Sequence, residues 1–245
     1  MRAVATSFGD DECTFFAGAV AFQLFFATIP LLALVVGVLG FVYGSDRAQA
    51  ELGQLLRDIY PSATAQETRI VRQLVEGRGV SLSVGVIGTI LATGAIHGSI
   101  DKALAAVLGT GRKRGFVRGH VDAFAFAGAL VVLGVISLVI SLVASPLSPL
   151  LGFVVGYIPF YLVYQYIPRV RVRAGTARMA ALVSAMLWEL AKIAFGSVAR
   201  SLGIFTVYGP IAFAAVMLTW IYVTAVIILV GAEVIKLKRA EHGTA

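Results

Sequence analysis

Cysteine and charged residues are the two scarce components of this 245-residue sequence. Its one cysteine, Cys13, excludes an internal disulfide and any metal site built from several cysteines. Charged residues form 13% of the chain and hydrophobic residues 59%, whereas soluble domains carry about 25% and about 45–50%. A soluble domain of this size cannot bury that much apolar surface. The composition therefore predicts a polytopic membrane protein.

Catalytic and metal-binding motifs are missing as well. The three histidines, His97, His120 and His242, lie on different segments and show no HxH or HxxE spacing. The stretch Gly109–Arg112 lacks the spacing of a phosphate-binding loop, and no Gly-x-Ser-x-Gly elbow occurs. Acidic residues do not cluster as a two-metal site requires. We therefore expect no metal site, no cofactor and no enzymatic activity.

Six apolar stretches are long enough to cross a bilayer, which takes roughly 20 residues of α-helix. They run over about Phe15–Tyr43, Val80–Ile100, Val121–Ala144, Leu147–Ile167, Gly175–Ala199 and Gly209–Ile235. The short connection around Pro146 makes the third and fourth stretches an antiparallel hairpin. We therefore predict an all-α fold, with a single transmembrane domain over residues 1–245 that contains six membrane-spanning helices.

Basic residues are distributed unevenly along the chain, and their distribution predicts its orientation. Of the 20 lysines and arginines, most lie near the N-terminus, in the second and fourth loops or in the C-terminal tail. Because such residues concentrate on the cytoplasmic side of a membrane, we expect both termini to be cytoplasmic. The net charge of +7 then follows from the topology, and we predict no nucleic-acid binding.

The first external loop, about residues 45–79, has the periodicity of amphipathic helices. Leu52, Leu55, Leu56 and Ile59 fall on one helical face, and Pro61 ends that pattern. A second apolar stripe follows between residues 70 and 75. We expect two short helices that pack onto the bundle or lie at the outer membrane interface.

Glycines recur in pairs at four-residue spacing within the predicted spans. The pairs are Gly40 with Gly44, Gly94 with Gly98, and Gly152 with Gly156. Small residues at this spacing let membrane helices approach each other closely. Two interpretations stay open, namely helix packing within one chain and a contact face for a homo-oligomer.

Polar or helix-breaking residues inside the predicted spans are candidates for a substrate pathway, because such residues usually face the bundle interior or a water-filled cavity. Glu189 and Lys192 share one face of the fifth span and can pair. Gln23 and Pro30 lie in the first span, and Glu233 lies near the cytoplasmic end of the sixth. For Glu189 and Lys192 a structural pair and a pathway role are equally open. For Glu233 an interfacial charge near the tail lysines is the favoured alternative.

A series of short segments along the chain is similar to one known family. The segments are Ala19–Phe22, Thr28–Leu32, Tyr164–Pro168, Trp188–Glu189, Tyr208–Gly209 and Gly231–Glu233, together with Gly175 and Trp220. They resemble the YihY/BrkB family of bacterial inner-membrane proteins, which was once mislabelled ribonuclease BN. The resemblance extends over almost the whole chain. The stretch Ala105–Leu108 departs from the family pattern, because it lacks the asparagine expected there.

This resemblance implies a six-helix inner-membrane protein of poorly defined activity, and it supplies no catalytic residues. Some members of the family are suspected of moving lipids or other solutes. The leading hypothesis is therefore a transporter or lipid-translocating protein, whose partners are membrane lipids and a lipid or small-molecule substrate. The rival hypothesis is a membrane scaffold or partner-binding protein. A ribonuclease or other enzyme ranks last.

Overall fold

The computed structural model describes residues 2–42, 44, 73, 76–110, 148–201 and 204–243. Within these residues the fold is helical, without a β-strand. The helices in chain order are α1 (Arg2–Asp10), α2 (Cys13–Val42), α3 (Arg78–Val107), α4 (Ser148–Tyr166), α5 (Ala174–Ser201) and α6 (Ile204–Gly243).

Helices α2 to α6 coincide in order with five of the six predicted spans. Three of them contain a stretch long and apolar enough to cross a membrane: Cys13–Val38, Gly79–Val107 and Ala214–Glu241. The third predicted span, 121–144, lies outside the described residues, as does most of the external loop at 45–79. The all-α fold is thus confirmed for the described residues, while the six-span topology and its orientation stay predictions.

Two backbone turns lie at one end of the described bundle, one between α1 and α2 and one at the end of α3. Between α1 and α2 the chain turns at Glu12, whose φ of 49° lies in the left-handed region. After α3, Gly109 has a φ of 65°, a conformation that favours glycine. The N–H of Thr110 donates to the carbonyl of Ala105 at 2.8 Å, and the Gly109 N–H donates to Ala106 at 3.2 Å. This Schellman motif ends α3.

Helices α2 and α3 pack so closely that their backbones touch. A Cβ atom on Gly85 would lie 2.5 Å from the Cα of Leu34, and one on Gly37 would lie 2.8 Å from the backbone of α3. A Cβ on Gly88 would lie 2.5 Å from the Cβ of Pro30. From one of these contacts to the next, the position on α2 is closer to its N-terminus and the position on α3 is closer to its C-terminus. The two helices therefore form an antiparallel pair joined along Gly37, Gly85 and Gly88.

The glycines at this seam differ from the pairs that the spacing singled out. Gly44 lies beyond the end of α2 with a φ of 78°, so it does not share a helical face with Gly40. A Cβ on Gly98 would meet no atom within 4 Å. Gly156 does lie at a helix contact, where a Cβ would be 3.8 Å from Trp188. Four-residue spacing alone therefore does not mark the closest approach.

Helices α4, α5 and α6 meet at a buried polar junction. The Tyr164 hydroxyl on α4 lies 2.7 Å from Ser184 Oγ on α5, and it donates to the Ile228 carbonyl on α6 at 2.9 Å. Both side chains are completely buried. The approach of α6 requires Gly231, because a Cβ there would lie 2.5 Å from the Tyr164 ring carbon that carries the hydroxyl. These hydrogen bonds satisfy polar groups that would be costly to bury alone.

The buried core lies at one end of the described bundle. It is formed by the beginning of α2 and of α5, the ends of α3 and α4, and the C-terminal half of α6. At the other ends of α2 and α3, large apolar side chains such as Ile29, Leu32 and Ile87 are exposed. Exposed apolar patches of this kind are typical of surfaces that contact a membrane or another protein segment. In the predicted orientation, the core end is the cytoplasmic end.

Candidate functional site

The five residues predicted to line a substrate pathway lie on three different helices. Gln23 is half-buried on α2, and Pro30 on the same helix packs against Gly88 of α3. Glu189 and Lys192 come together on α5, whereas Glu233 on α6 belongs to another polar cluster. The structure therefore joins one pair of the predicted set and gives Pro30 and Glu233 other neighbours.

Glu189 and Lys192 form an ion pair on the surface of the described bundle. Glu189 Oε1 lies 2.7 Å from Lys192 Nζ, as expected for a pair three residues apart on a helix. The side chains are 33% and 42% exposed, so neither is enclosed in the core. If the fifth predicted span crosses the membrane, each charge neutralises the other in a region where a single charge is costly.

Removing one member of this pair should be worse than removing both. Glu189→Leu or Lys192→Leu alone leaves a lone charge in a predicted span, and we expect a loss of about 2 kcal/mol in stability. The double change to leucine removes both charges and should restore most of the loss. Thermal unfolding of the purified protein in detergent measures all three variants. Equal destabilisation by the double and single variants would contradict a structural pair.

A second ion pair joins α3 to the connection between α4 and α5. Arg169 Nε lies 3.0 Å from both carboxylate oxygens of Asp101, and Arg169 Nη2 donates to Oδ2 at 2.6 Å. The two side chains are 15% and 9% exposed. Hydrogen bonding to Asp101 raises the pKa of the Arg169 guanidinium. This bidentate pair fixes the end of α3 to the neighbouring loop.

Glu233 lies in a polar cluster where α6 meets the turn between α1 and α2. Its carboxylate is completely buried, and Oε1 accepts a hydrogen bond from Cys13 Sγ at 3.6 Å. Lys236 Nζ lies 3.9 Å from Glu233 Oε2 but donates to Ser7 Oγ at 2.9 Å and to the Asp11 carboxylate. The sequence favoured an interfacial charge at Glu233, whereas the structure buries its side chain.

An apolar groove of about 440 Å³ lies between α4 and α5. Its lining residues are Phe153, Val154, Tyr157, Arg178, Met179 and Leu182. The Tyr157 hydroxyl donates to the Arg178 carbonyl at 3.5 Å, and Arg178 Nε donates to the Ala174 carbonyl at 3.3 Å. Arg178 is thus an exposed cationic residue of a groove whose other lining residues are mostly apolar.

Sequence reasoning missed this groove and the Asp101–Arg169 pair. Arg169 and Arg178 are among the basic residues around the fourth loop, which served only to predict the orientation. One signal for the groove was available, because Arg178 lies inside the fifth predicted span, on the same helical face as Leu182 four residues later. The ion pair had no local signal, since its members are 68 residues apart. Within the described ranges, no group of three or more His, Cys, Asp or Glu side chains is placed to hold a metal ion.

Long apolar helices, exposed apolar faces and a core held by buried polar contacts define a helical membrane protein. The chain belongs to the family described as "Virulence factor BrkB", whose sequence profile matches residues 4–243. This match confirms the resemblance seen in the sequence.

Curated relatives of the chain are named UPF0761 membrane proteins. The one from Acinetobacter baylyi is 25% identical over an alignment of 250 positions, which covers 94% of this chain and 60% of that protein. The one from Cronobacter sakazakii is 26% identical over 92% of this chain and 83% of its own length. The chain therefore spans only part of the length of these relatives, and their names specify no reaction or substrate. No solved structure matches the chain.

Proposed function

We propose that this protein is a multi-pass protein of the bacterial inner membrane that translocates a lipid or another amphipathic solute. The observation that carries the proposal is the groove between α4 and α5. Its volume of about 440 Å³ is in the range of about 300–1,000 Å³ typical of ligand pockets. An apolar groove at the surface of a membrane protein is accessible to acyl chains.

The chemistry of the groove favours an anionic amphipathic ligand. Phe153, Met179 and Leu182 offer apolar contact for a hydrocarbon chain. Arg178 offers a permanent positive charge at the edge, and a guanidinium binds phosphate or carboxylate with paired hydrogen bonds. An anionic phospholipid has both parts in this arrangement. In the predicted orientation Arg178 lies near the cytoplasmic face, where lipid phosphates lie.

The rival function, a scaffold or partner-binding protein without transport, also has an observation in its favour. The hydrogen-bonded Tyr164–Ser184 junction lies within the core end of the bundle, and Pro30 is packed against Gly88. A fixed core suits a rigid scaffold. The two functions differ in whether the groove binds lipid.

Filling the groove should remove most of the lipid binding. Leu182→Trp places a large ring among the lining residues, and we expect it to remove most of the bound anionic phospholipid. Arg178→Gln should weaken binding by about fivefold, which corresponds to ~1 kcal/mol for one basic residue beside anionic lipid. Titration of a fluorescent anionic phospholipid into the purified protein in detergent measures both effects.

A matched control comes from the same helix. Leu190 is a large exposed residue of α5 that does not line the groove, so Leu190→Trp should bind the lipid as the unaltered protein does. Equal lipid binding by the Leu182→Trp and Leu190→Trp variants would exclude the groove as the binding site.

A further inference from the structure

Glu233 has the environment of a proton-binding group. Its side chain is completely buried, and within the described part of the chain Oε2 makes no hydrogen bond of normal geometry, although the Ser7 and Asp11 side chains lie close to the carboxyl. A buried carboxylate with an unpaired oxygen is costly as an anion, and protonation removes that cost. The position lies where three pieces of chain meet, the α1–α2 turn, α2 and α6.

Lys236 lies between two carboxylates that compete for it. Its Nζ donates to Asp11 of the α1–α2 turn and to Ser7 of α1, while Glu233 Oε2 lies 3.9 Å away. In the arrangement observed, Lys236 therefore ties α1 and the turn to α6. A charged Glu233 attracts the same ammonium and repels Asp11.

The charged and titratable groups that face the Glu233 carboxyl come from few elements. Among the described residues they are Asp11 from the α1–α2 turn, Cys13 from α2 and Lys236 from α6 itself. Helix α1 contributes the uncharged Ser7 hydroxyl, and the described residues of α3 and α5, which also pack on α6, bring no charged group to this carboxyl.

From this geometry we propose that Glu233 is a proton-binding site that controls the docking of the α1–α2 turn on α6. With Glu233 protonated, Lys236 is held by Asp11 and Ser7, and the turn is docked. When Glu233 loses its proton, Lys236 is drawn towards Glu233, Asp11 loses its partner, and the turn separates from α6. The ligand of this site is a proton, and the proposal does not depend on the lipid-binding groove.

Cys13 provides a direct probe of the docked state. It is the one cysteine of the chain, and its side chain is completely buried against Glu233. A maleimide reagent can reach its thiol only when the turn separates. The alkylation rate of the folded protein, divided by the rate in denaturant at the same pH, gives the fraction of open molecules, because the intrinsic reactivity of the thiol cancels.

For the purified full chain, the ratio of the two Cys13 alkylation rates should depend on pH. We expect the ratio to rise with pH by up to about tenfold per pH unit, the limit for an opening that releases one proton. Glu233→Gln mimics the protonated carboxyl, so its ratio should be low at every pH. If Glu233 acted on the Cys13 thiol only through its charge, Glu233→Gln would instead raise the alkylation rate, since loss of a nearby negative charge favours the reactive thiolate.

Two further variants complete the test. Glu241→Gln alters an exposed carboxylate that pairs with Lys238 at the same three-residue spacing on α6, and it should keep the original pH profile. Asp11→Asn weakens the ion pair with Lys236, so the alkylation ratio of this variant should be high even at acidic pH. This variant tests the proposal if the Glu233 variant does not fold. A pH-independent ratio in the unaltered chain, or the same profile in the Glu233→Gln variant, would overturn the proposal.

Discussion

Gly231→Ala is expected to destabilise the protein by about 3–5 kcal/mol, as the sum of overpacking and of lost buried hydrogen bonds. The added Cβ would lie 2.5 Å from the Tyr164 ring carbon bonded to the hydroxyl and would overlap Ser184 Oγ as well. Relief requires Tyr164 or α6 to move, and either movement breaks the hydrogen bond to the Ile228 carbonyl. Thermal unfolding in detergent and the yield of folded protein measure the loss.

Gly98 provides the matched control for this substitution. It lies within helix α3, and a Cβ there would meet no atom within 4 Å. Gly98→Ala should therefore leave stability unchanged or raise it by up to about 1 kcal/mol, because alanine favours a helix more than glycine does. If Gly231→Ala were as stable as Gly98→Ala, the junction between α4, α5 and α6 would not be as tight as the structure shows.

Asp101→Asn is expected to cost about 3 kcal/mol of stability. The change keeps the size of the side chain but removes the charge that pairs with Arg169, whose side chain is 15% exposed. Breaking a largely buried pair by removing one partner leaves an uncompensated charge, which is the main part of the cost. The unfolding temperature of the purified variant measures it.

The exposed ion pair Lys238–Glu241 on α6 serves as the comparison for the largely buried Asp101–Arg169 pair. Its oxygen and nitrogen lie 2.9 Å apart, but the Glu241 side chain is 61% exposed. Exposed pairs contribute about 0–1 kcal/mol, so Glu241→Gln should change stability little. A double variant with Asp101→Asn and Arg169→Met should recover part of the loss, because no charge is then left unpaired. Similar losses for Asp101→Asn and Glu241→Gln would contradict the role given to burial.

The helices could be predicted from the sequence because their signal is local. Long apolar runs gave the positions of α2 to α6, and the three-residue spacing gave the pairing of Glu189 with Lys192. Contacts between helices are a different matter. Gly85 and Gly88 face α2 because of the register in which α2 and α3 pack against each other. The sequence of α3 alone does not distinguish these two glycines from Gly94 and Gly98.

The polar contacts of the core were less predictable, because their partners are distant in sequence. Tyr164 and Gly231 both lie in segments that resemble the family, but nothing in the sequence indicates that they touch each other. Cys13 and Glu233 are 220 residues apart. Because the Glu233 side chain is buried, it belongs to an internal cluster and is not the interfacial charge that the sequence favoured. The groove likewise depends on the packing of α4 against α5, so Arg178 could be recognised only as a topological charge.

Lipid movement in reconstituted vesicles tests the central claim most directly. The measurement follows the transfer of a fluorescent anionic phospholipid between the two leaflets of vesicles that contain the purified protein. The account predicts faster transfer than in protein-free vesicles, loss of that increase with Leu182→Trp, and its retention with Leu190→Trp. Transfer no faster than in protein-free vesicles, or equal rates for the two tryptophan variants, would contradict it.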